Sequence, residues 1–577
     1  MKKISLITAL VASTLITATA LAATTPSGPQ PLNGNTPYFT FEPILTNGQH
    51  PGSGAYIDSF NAKSAPNAAF YQNIPPIAKR TVLVPGQVGM QAMLSFSTSQ
   101  NPVGFIAGSN ELTNGNVKNF QAWDYTESFV YFGGYIAEGE ILVPSPGSIM
   151  QAHKNGVPAY GTVFFNQNNA DETTFINTVL SQPKYQQLYA QKLIAMAQAY
   201  HFDGYFINNE AAENVASNEY FMPLVQALLK AGIKVEWYQV GDGNINQMLQ
   251  IQDKNYSIFP DYGVDMNLSN YPTSQYNRLY WGRELTWGRP RFQDIINTYV
   301  YANVKNAHPV ASLFATNRVA MNTTNNNVTP SLSSEYLSKN WVDWVVDNGY
   351  LYEPTVGNQF VTTFNTGSGS NYTVNGQVAL NTPWNDMSDT DYASNYASFK
   401  NHMYSIDYSQ SWLGGSSLQV NSNLPFVLYN TAFNTSGAAN IVLVYKGNLN
   451  GSAISLNGVN YPIASTGSLN NGWQLSVVPL SPNQSKTTIS TIGLVNCKDI
   501  SLGEIYIGAN QTQQTLKVMN PSANVYAWKA LGNGYQYLCY DANGNLIGAT
   551  ALSAMYSSVP VAKVVTAAIV PVSNIQN

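Results

Sequence analysis

Eight apolar runs set the limits on what this chain can fold into. They are Met90–Ser97, Ser128–Gly133, Val157–Phe165, Phe202–Glu210, Ile233–Val240, Val264–Tyr271, Leu279–Leu285 and Val310–Thr316. Helix-like or long polar segments separate most of them. Asp171–Tyr200 reads as helical and is split by Pro183, because proline has no N–H and clashes with the preceding turn. Its longer part starts near Lys184, with Leu188, Leu193, Ile194 and Met196 on an apolar side. Tyr220–Lys230 reads as another helix, closed by Gly232. Strands alternating with crossovers predict an α/β fold, a (β/α)8 TIM barrel. An open doubly wound sheet is the rival, but no Gly-rich phosphate loop follows the first run.

The flanks divide the rest of the chain. Lys2 and Lys3, the apolar stretch Ile4–Ile16 and Ala20-Leu21-Ala22 make residues 1–22 a signal peptide, which implies a secreted or periplasmic location. Residues 23–85 are rich in Pro, Gly and Asn and read as an extended lead-in. The barrel is expected over 86–380. Past about Asn358 the helical period fades into short alternating strands such as Phe426–Tyr429, Ala439–Tyr445 and Gln474–Val478. Asn450-Gly451 is a typical hairpin-turn dipeptide between such runs. Two β-sandwich modules fit: a jelly-roll-like one over 381–510, and a small immunoglobulin or fibronectin-III-like one over 511–577. The second holds Tyr535–Tyr540, a turn at Asp541–Gly544, and Leu546–Gly548.

Composition narrows the function. Only 10% of the 577 residues are charged and the net charge is −5, against about 25% charged in ordinary domains. Nucleic acid is excluded as a partner, because neutralising phosphates takes dense Lys and Arg. No later apolar run approaches the ~18 residues of a membrane span. Thirty-seven Tyr and ten Trp suit sugar binding, since rings stack on C–H faces and polar tips bond hydroxyls. Five His without an H-E-x-x-H pattern give no zinc site, and no cofactor is expected. Cys497 and Cys539 form either one disulfide or two free thiols.

The fourth run carries the chemistry. Along His201-Phe202-Asp203-Gly204-Tyr205-Phe206-Ile207-Asn208-Asn209-Glu210, alternation puts Gly204, Phe206, Asn208 and Glu210 on one face. An amide and an acid thus emerge together at the C-terminal end of a strand. Most glycosidases use two carboxylates. One acid beside one amide fits the exception, in which the sugar's own 2-acetamido oxygen is the nucleophile. Glu210 would be the acid/base and Asn208 would orient the acetamide. The competing reading is that the pair only caps the next helix. On the fifth run, Tyr238 shares a face with Glu236 and could bond the acetamide. Glu236 itself faces the interior and needs a partner. Candidate substrate-binding residues are Trp237, Asn270, Tyr271, Trp287 and Phe165.

Several stretches resemble glycoside hydrolase family 85, the endo-β-N-acetylglucosaminidases. They include Trp123-Asp124-Tyr125, Phe129–Gly133, Val143-Pro144-Ser145-Pro146 and His153-Lys154-Asn155-Gly156-Val157. Phe202-Asp203-Gly204-Tyr205 through Asn208-Asn209-Glu210, Trp237-Tyr238, Asn270-Tyr271 and Gly288-Arg289 follow in order. Phe360–Gly367 and Gly414–Leu418 extend the likeness to roughly residues 80–510. The resemblance implies a (β/α)8 barrel that cleaves between the two N-acetylglucosamines of the core of glycoprotein N-glycans. It gives Asn208, Glu210 and Tyr238 the roles of acetamide orienter, acid/base and assistant. The chain departs from the family pattern at Gln239 and Glu284, where Asp is expected, and at Glu236. Two alternatives are a chitinase-like acetamide-assisted glycosidase and a catalytically silent glycan-binding or adhesion protein. Phe206 and Asn208 stand where the chitinase pattern has Asp, which disfavours the first.

Overall fold

The computed structural model describes residues 38–41, 55–66, 68, 71, 89–95, 116–118, 128–132, 140–144, 146–166, 170–213, 218–239, 247–260, 280–284, 310–314, 318–322, 329–332, 360–366, 368–369, 371–374, 376–381, 384–385, 403–435, 439–480, 487–508, 514–516, 519–522, 525–527, 535–540, 546–551, 556–558 and 566–571. Eight parallel strands form its first half: β1 (Gly89–Ser95), β2 (Ser128–Phe132), β3 (Ala159–Phe165), β4 (Gly204–Asn209), β5 (Lys234–Gln239), β6 (Tyr256–Pro260), β7 (Tyr280–Glu284) and β8 (Val310–Phe314). They pair in the order β6-β5-β4-β3-β2-β1-β8-β7. The first strand is thus bonded in parallel to the last, Gln91 opposite Ser312. No β6–β7 pair occurs among the described residues.

Seven of the strands fall on expected runs; the sixth does not. Tyr256–Pro260 pairs with β5, Phe259 opposite Tyr238, whereas Val264–Tyr271 lies outside the described residues. Proline is tolerated at the edge of a strand but reads as a break in a sequence, so Pro260 hid a five-residue strand.

Between β2 and β5 run α1 (Pro146–Lys154), α2 (Ala170–Phe175), α3 (Pro183–Tyr200) and α4 (Met222–Lys230). Pro183 sits in the first turn of α3, where its missing N–H costs nothing. A π turn at Ile176–Leu180 joins α2 to the break. Gly232 closes α4 with φ +81°.

Strand alternation splits the core in two. Phe129, Tyr131, Val163, Phe165, Tyr205, Ile207, Val235 and Trp237 pack outward against α3 and α4, on Leu193, Met196, Leu224, Val225 and Leu228. The intervening residues Val130, Tyr160, Phe206 and Tyr238, with Phe132 beside them, form a separate inner cluster. Gly204 leaves room in it: a Cβ there would lie 2.6 Å from the Tyr160 ring.

The N-terminal ends of β3–β5 are stapled. Asp203 Oδ2 accepts the Ala159 N–H (2.8 Å) and lies 2.8 Å from His153 Nε2. Burial opposes ionisation of Asp203, but the His153 hydrogen bond and charge, the Ala159 N–H and the Lys234 charge outweigh it and hold the carboxyl below its usual range.

The lead-in is bound to this body. Tyr38–Thr40 pairs with Ile141–Leu142, which in turn pairs with β3 at Val163 and Thr162. Phe41 stacks on Phe165 at 5.4 Å. Its N–H donates to Glu140 Oε2 (3.2 Å).

A seven-stranded antiparallel sheet contains Phe360–Thr362, Tyr404–Asp407, Ser417–Val420, Ala439–Lys446 and Ser501–Gly508. It therefore begins inside the stretch 86–380 expected to be barrel, because Phe360–Thr362 pairs with Ser501–Gly508. A four-stranded sheet of Phe426–Phe433, Ile489–Val495, Ala453–Leu456 and Val459–Pro462 shares one core with it, through Leu428, Ile454, Ile492, Leu443 and Ile505. Asn450-Gly451 is a turn, with Gly451 at φ +68°, but not a hairpin. Ala439–Lys446 and Ala453–Leu456 lie in different sheets, so the turn crosses between layers. Further on, Tyr535–Tyr540 pairs with Leu546–Ala551 as a hairpin. Cys497 is a buried free thiol, its Sγ 3.2 Å from Val495 O. No described helix is long and apolar enough to cross a membrane.

Glu140 makes folding sensitive to pH. Burial pushes its carboxyl from 4.5 up to about 7, against the opposing pull of backbone N–H donors at Glu140 and Phe41. A raised carboxyl favours the folded state while protonated. That contribution is complete below the unfolded value and is lost as pH rises through about 7. The displacement is worth on the order of 3 kcal/mol. Glu140→Gln should flatten the fall in Tm between mildly acidic and neutral pH. Parallel Tm-against-pH curves for parent and variant would contradict this.

Candidate functional site

β4 carries the site because it lies between two strands in fixed register. Asn208 is opposite Phe164 of β3 and Tyr238 of β5. All three point to the inner face. Tyr238 belongs to the inner cluster, its ring 6.2 Å from Phe206. Phe206 also meets Phe132 edge-on at 5.9 Å. One face of the site is thus a wall of rings.

The last inner residues of β4 are polar. Asn208 is 3% exposed. Its Nδ2 donates to Glu210 Oε1 at 3.0 Å. That bond assigns the amide: nitrogen faces the carboxyl, and Oδ1 is left as the acceptor. Oδ1 is buried and has no hydrogen-bond partner among the described residues. A buried unpaired acceptor costs about 1–3 kcal/mol, and in a native fold it calls for an explanation. Glu210 is half-buried and opens the short turn Glu210–Glu213. The pair therefore offers one carboxyl held by an amide and one acceptor waiting for a donor.

Glu236 faces the same interior one layer deeper, opposite Phe206 and Ser257, and is wholly buried. Asn209 turns the other way and is buried on the helix side of the sheet.

Two expected sugar contacts are corrected. Trp237 is fully buried in the outer core, edge-on to Phe221 at 5.5 Å. Phe165 is also in the outer core, stacked on Phe41 and Phe175. Side chains alternate along a strand, so neither residue can share the inner face with its neighbour, Tyr238 or Phe164. Losing either ring would cost roughly 3–5 kcal/mol of stability. Asn270, Tyr271 and Trp287 lie outside the described residues. No group of three metal-ligating side chains occurs among the described residues.

One neighbour escaped the sequence reading. Asn166 follows β3 directly and is 4% exposed. It looks like the first residue of a loop. The alternation Phe164-in, Phe165-out was the signal that could have found it.

Comparison with known proteins fits this geometry. Residues 107–372 match the family model described as Glycosyl hydrolase family 85. A relative in Arabidopsis thaliana, "Cytosolic endo-beta-N-acetylglucosaminidase 1", is 28% identical over 172 residues, covering 27% of this chain and 24% of that protein. The Gallus gallus "Cytosolic endo-beta-N-acetylglucosaminidase" is 24% identical over 346 residues, covering 56% of this chain and 45% of that one. The chain thus spans less than half the length of these curated relatives. The fold is that of the glycoside hydrolase domain of Endo-D from Streptococcus pneumoniae R6, at TM-score 0.60 and 19% identity over 92% of this chain and 94% of that one. The relatives also correct the secreted or periplasmic location inferred from the N-terminal residues. Both are named as cytosolic proteins. The stretch that matches the model of glycosyl hydrolase family 85, residues 107–372, contains Asn208, Glu210 and Tyr238.

Proposed function

We propose that this chain is an endo-β-N-acetylglucosaminidase that hydrolyses the β-1,4 bond between the two N-acetylglucosamines of glycoprotein N-glycan cores. One observation carries the reading: Asn208 Nδ2 is committed to Glu210 while Asn208 Oδ1 stays buried and unpaired. The N–H of a 2-acetamido group is the donor that this acceptor lacks. The match of residues 107–372 to the glycosyl hydrolase family 85 model supports the substrate class.

The route is retaining and acetamide-assisted. The acetamide oxygen attacks the anomeric carbon as its bond to the leaving oxygen breaks. Glu210 gives its proton to that oxygen. The acetamide N–H becomes more acidic as the oxazoline ring forms, so its bond to Asn208 Oδ1 strengthens in the transition state, which is where stabilisation raises the rate. Tyr238, beside Asn208 in register, is the second wall of the acetamide slot. Glu210, now a carboxylate, takes a proton from water. The water oxygen bonds to the anomeric carbon, and the ring's carbon–oxygen bond opens back to the acetamide. A sugar hydroxyl in place of water gives transglycosylation.

The scaffold proposed for this chemistry is a closed (β/α)8 barrel, supported by the parallel β1–β8 pair. It is followed by a β-sandwich, supported by the shared core of two sheets, and a small β-module from about residue 511.

Release of high-mannose, hybrid or complex glycans from glycoproteins tests the activity; no release from any class would refute it. Glu210→Gln keeps the shape and removes the proton donor. It should lower hydrolysis by about 10²–10⁴-fold while glycan binding persists, and near-normal turnover would remove Glu210 from the mechanism.

Asn208→Ala separates the two steps. It should fail on an intact glycan, where the acetamide must be positioned, yet still consume a synthetic glycan oxazoline and transfer it to an N-acetylglucosamine acceptor. Equal losses on both substrates, with the fold intact by circular dichroism, would leave Asn208 with a structural role only.

A further inference from the structure

The end of β3 is pinned more firmly than the entry to a loop requires. The Phe164 N–H donates to Glu140 O at 2.8 Å. The Asn166 N–H, two residues on, donates to the Glu172 carboxylate. Glu172 is buried in α2, and α2 lies against the turn Glu210–Glu213. Burying a carboxylate is costly, and an apolar side chain would fill the same space more cheaply. The carboxylate at Glu172 therefore fixes where the backbone of Asn166 sits.

That place is beside Glu210. Phe164 is opposite Asn208 and Phe165 opposite Asn209. Asn166 and Glu210 are the residues next after that last pair, Asn166 leaving β3 and Glu210 opening the turn beyond β4, where neighbouring strands lie ~4.8 Å apart. Continued one residue past Phe165, the alternation of β3 puts Asn166 on the face of Phe164 and Asn208. We propose that Asn166 is a further positioning residue, whose amide brackets the Glu210 carboxyl from β3 as the Asn208 amide does from β4. This rests on Glu210 being the acid/base. Two amides, one on each side, restrict the carboxyl's rotation and fix which oxygen carries the proton toward the glycosidic bond. Either amide N–H also favours the ionised carboxyl. The other titratable groups on the surrounding elements are Asp171 and Glu172 of α2, Glu140 beside β3, Glu236 and Tyr238 of β5, and Glu213 in the turn itself.

The test is the pH profile of kcat/KM for the full chain on a homogeneous N-glycopeptide, whose alkaline limb reports protonation of the general acid. In Asn166→Ala, losing the amide donor raises that acid, so the limb should move to higher pH by about half to one unit. In the same variant kcat should fall roughly tenfold with KM little changed. Asn166→Asp keeps the shape and sets a like charge beside Glu210. It should move the limb further in the same direction, and it covers the case in which the alanine variant folds poorly. Folded variants that keep the parent's limb would overturn the proposal. Glu210→Gln in the same assay separates the two claims. If it turns over normally, the acid/base reading fails. If it is inactive while the Asn166 variants keep the parent limb, only the role of Asn166 fails.

Discussion

A one-residue slip of β4 against its neighbours would exchange Asn208 for Asn209 on the inner face and dismantle the site. Two constraints hold the register. At the N-terminal end, Asp203 ties β4 to the first residue of β3 and to His153. In the interior, Gly204 admits the Tyr160 ring, and any Cβ there would meet it. Both stand far along the strand from Asn208 and Glu210. Of their residues, His153, Asp203 and Gly204 lie within the His153–Val157 and Phe202–Tyr205 stretches that carry the family resemblance. Those stretches hold the frame, and the amide and the acid stand at its other end.

The same division explains the two classes of aromatic residue. Outward rings such as Trp237, Phe165 and Tyr205 tie strands to α3, α4 and the lead-in. Inward rings such as Phe206 and Tyr238 line the interior below and beside the polar pair. Their burial keeps water away from one side of the carboxyl and strengthens hydrogen bonds made there. The Glu140 backbone carbonyl and the buried Glu172 carboxylate pin the end of β3, so the wall next to Glu210 is set by hydrogen bonds as well as by packing.

Much of this was legible in the chain. Seven strands fell on apolar runs because parallel strands, covered on both faces, read as continuous apolar stretches. The amide–acid pair was legible because a strand has an exact period of two. The same rule, carried through, separates Tyr238 from Trp237 and Phe164 from Phe165, and puts Trp237 and Phe165 in the outer core, away from the inner face. Other features were beyond local reading. The Phe41–Glu140 bond joins residues 99 apart in sequence. The capture of Phe360–Thr362 by a strand beyond residue 500 is likewise a tertiary choice. Asn450-Gly451 shows the limit of turn chemistry: it specified the bend but not which sheet the chain entered next.

The central claim is that one acid and one amide suffice because the substrate supplies its own nucleophile. Such a route inverts the anomeric carbon twice, whereas direct attack by water inverts it once. Proton NMR of the sugar released in the first moments of reaction, before mutarotation, reads this directly. The Asn208–Glu210 geometry predicts an initial product in the β configuration; an initial α product would contradict it.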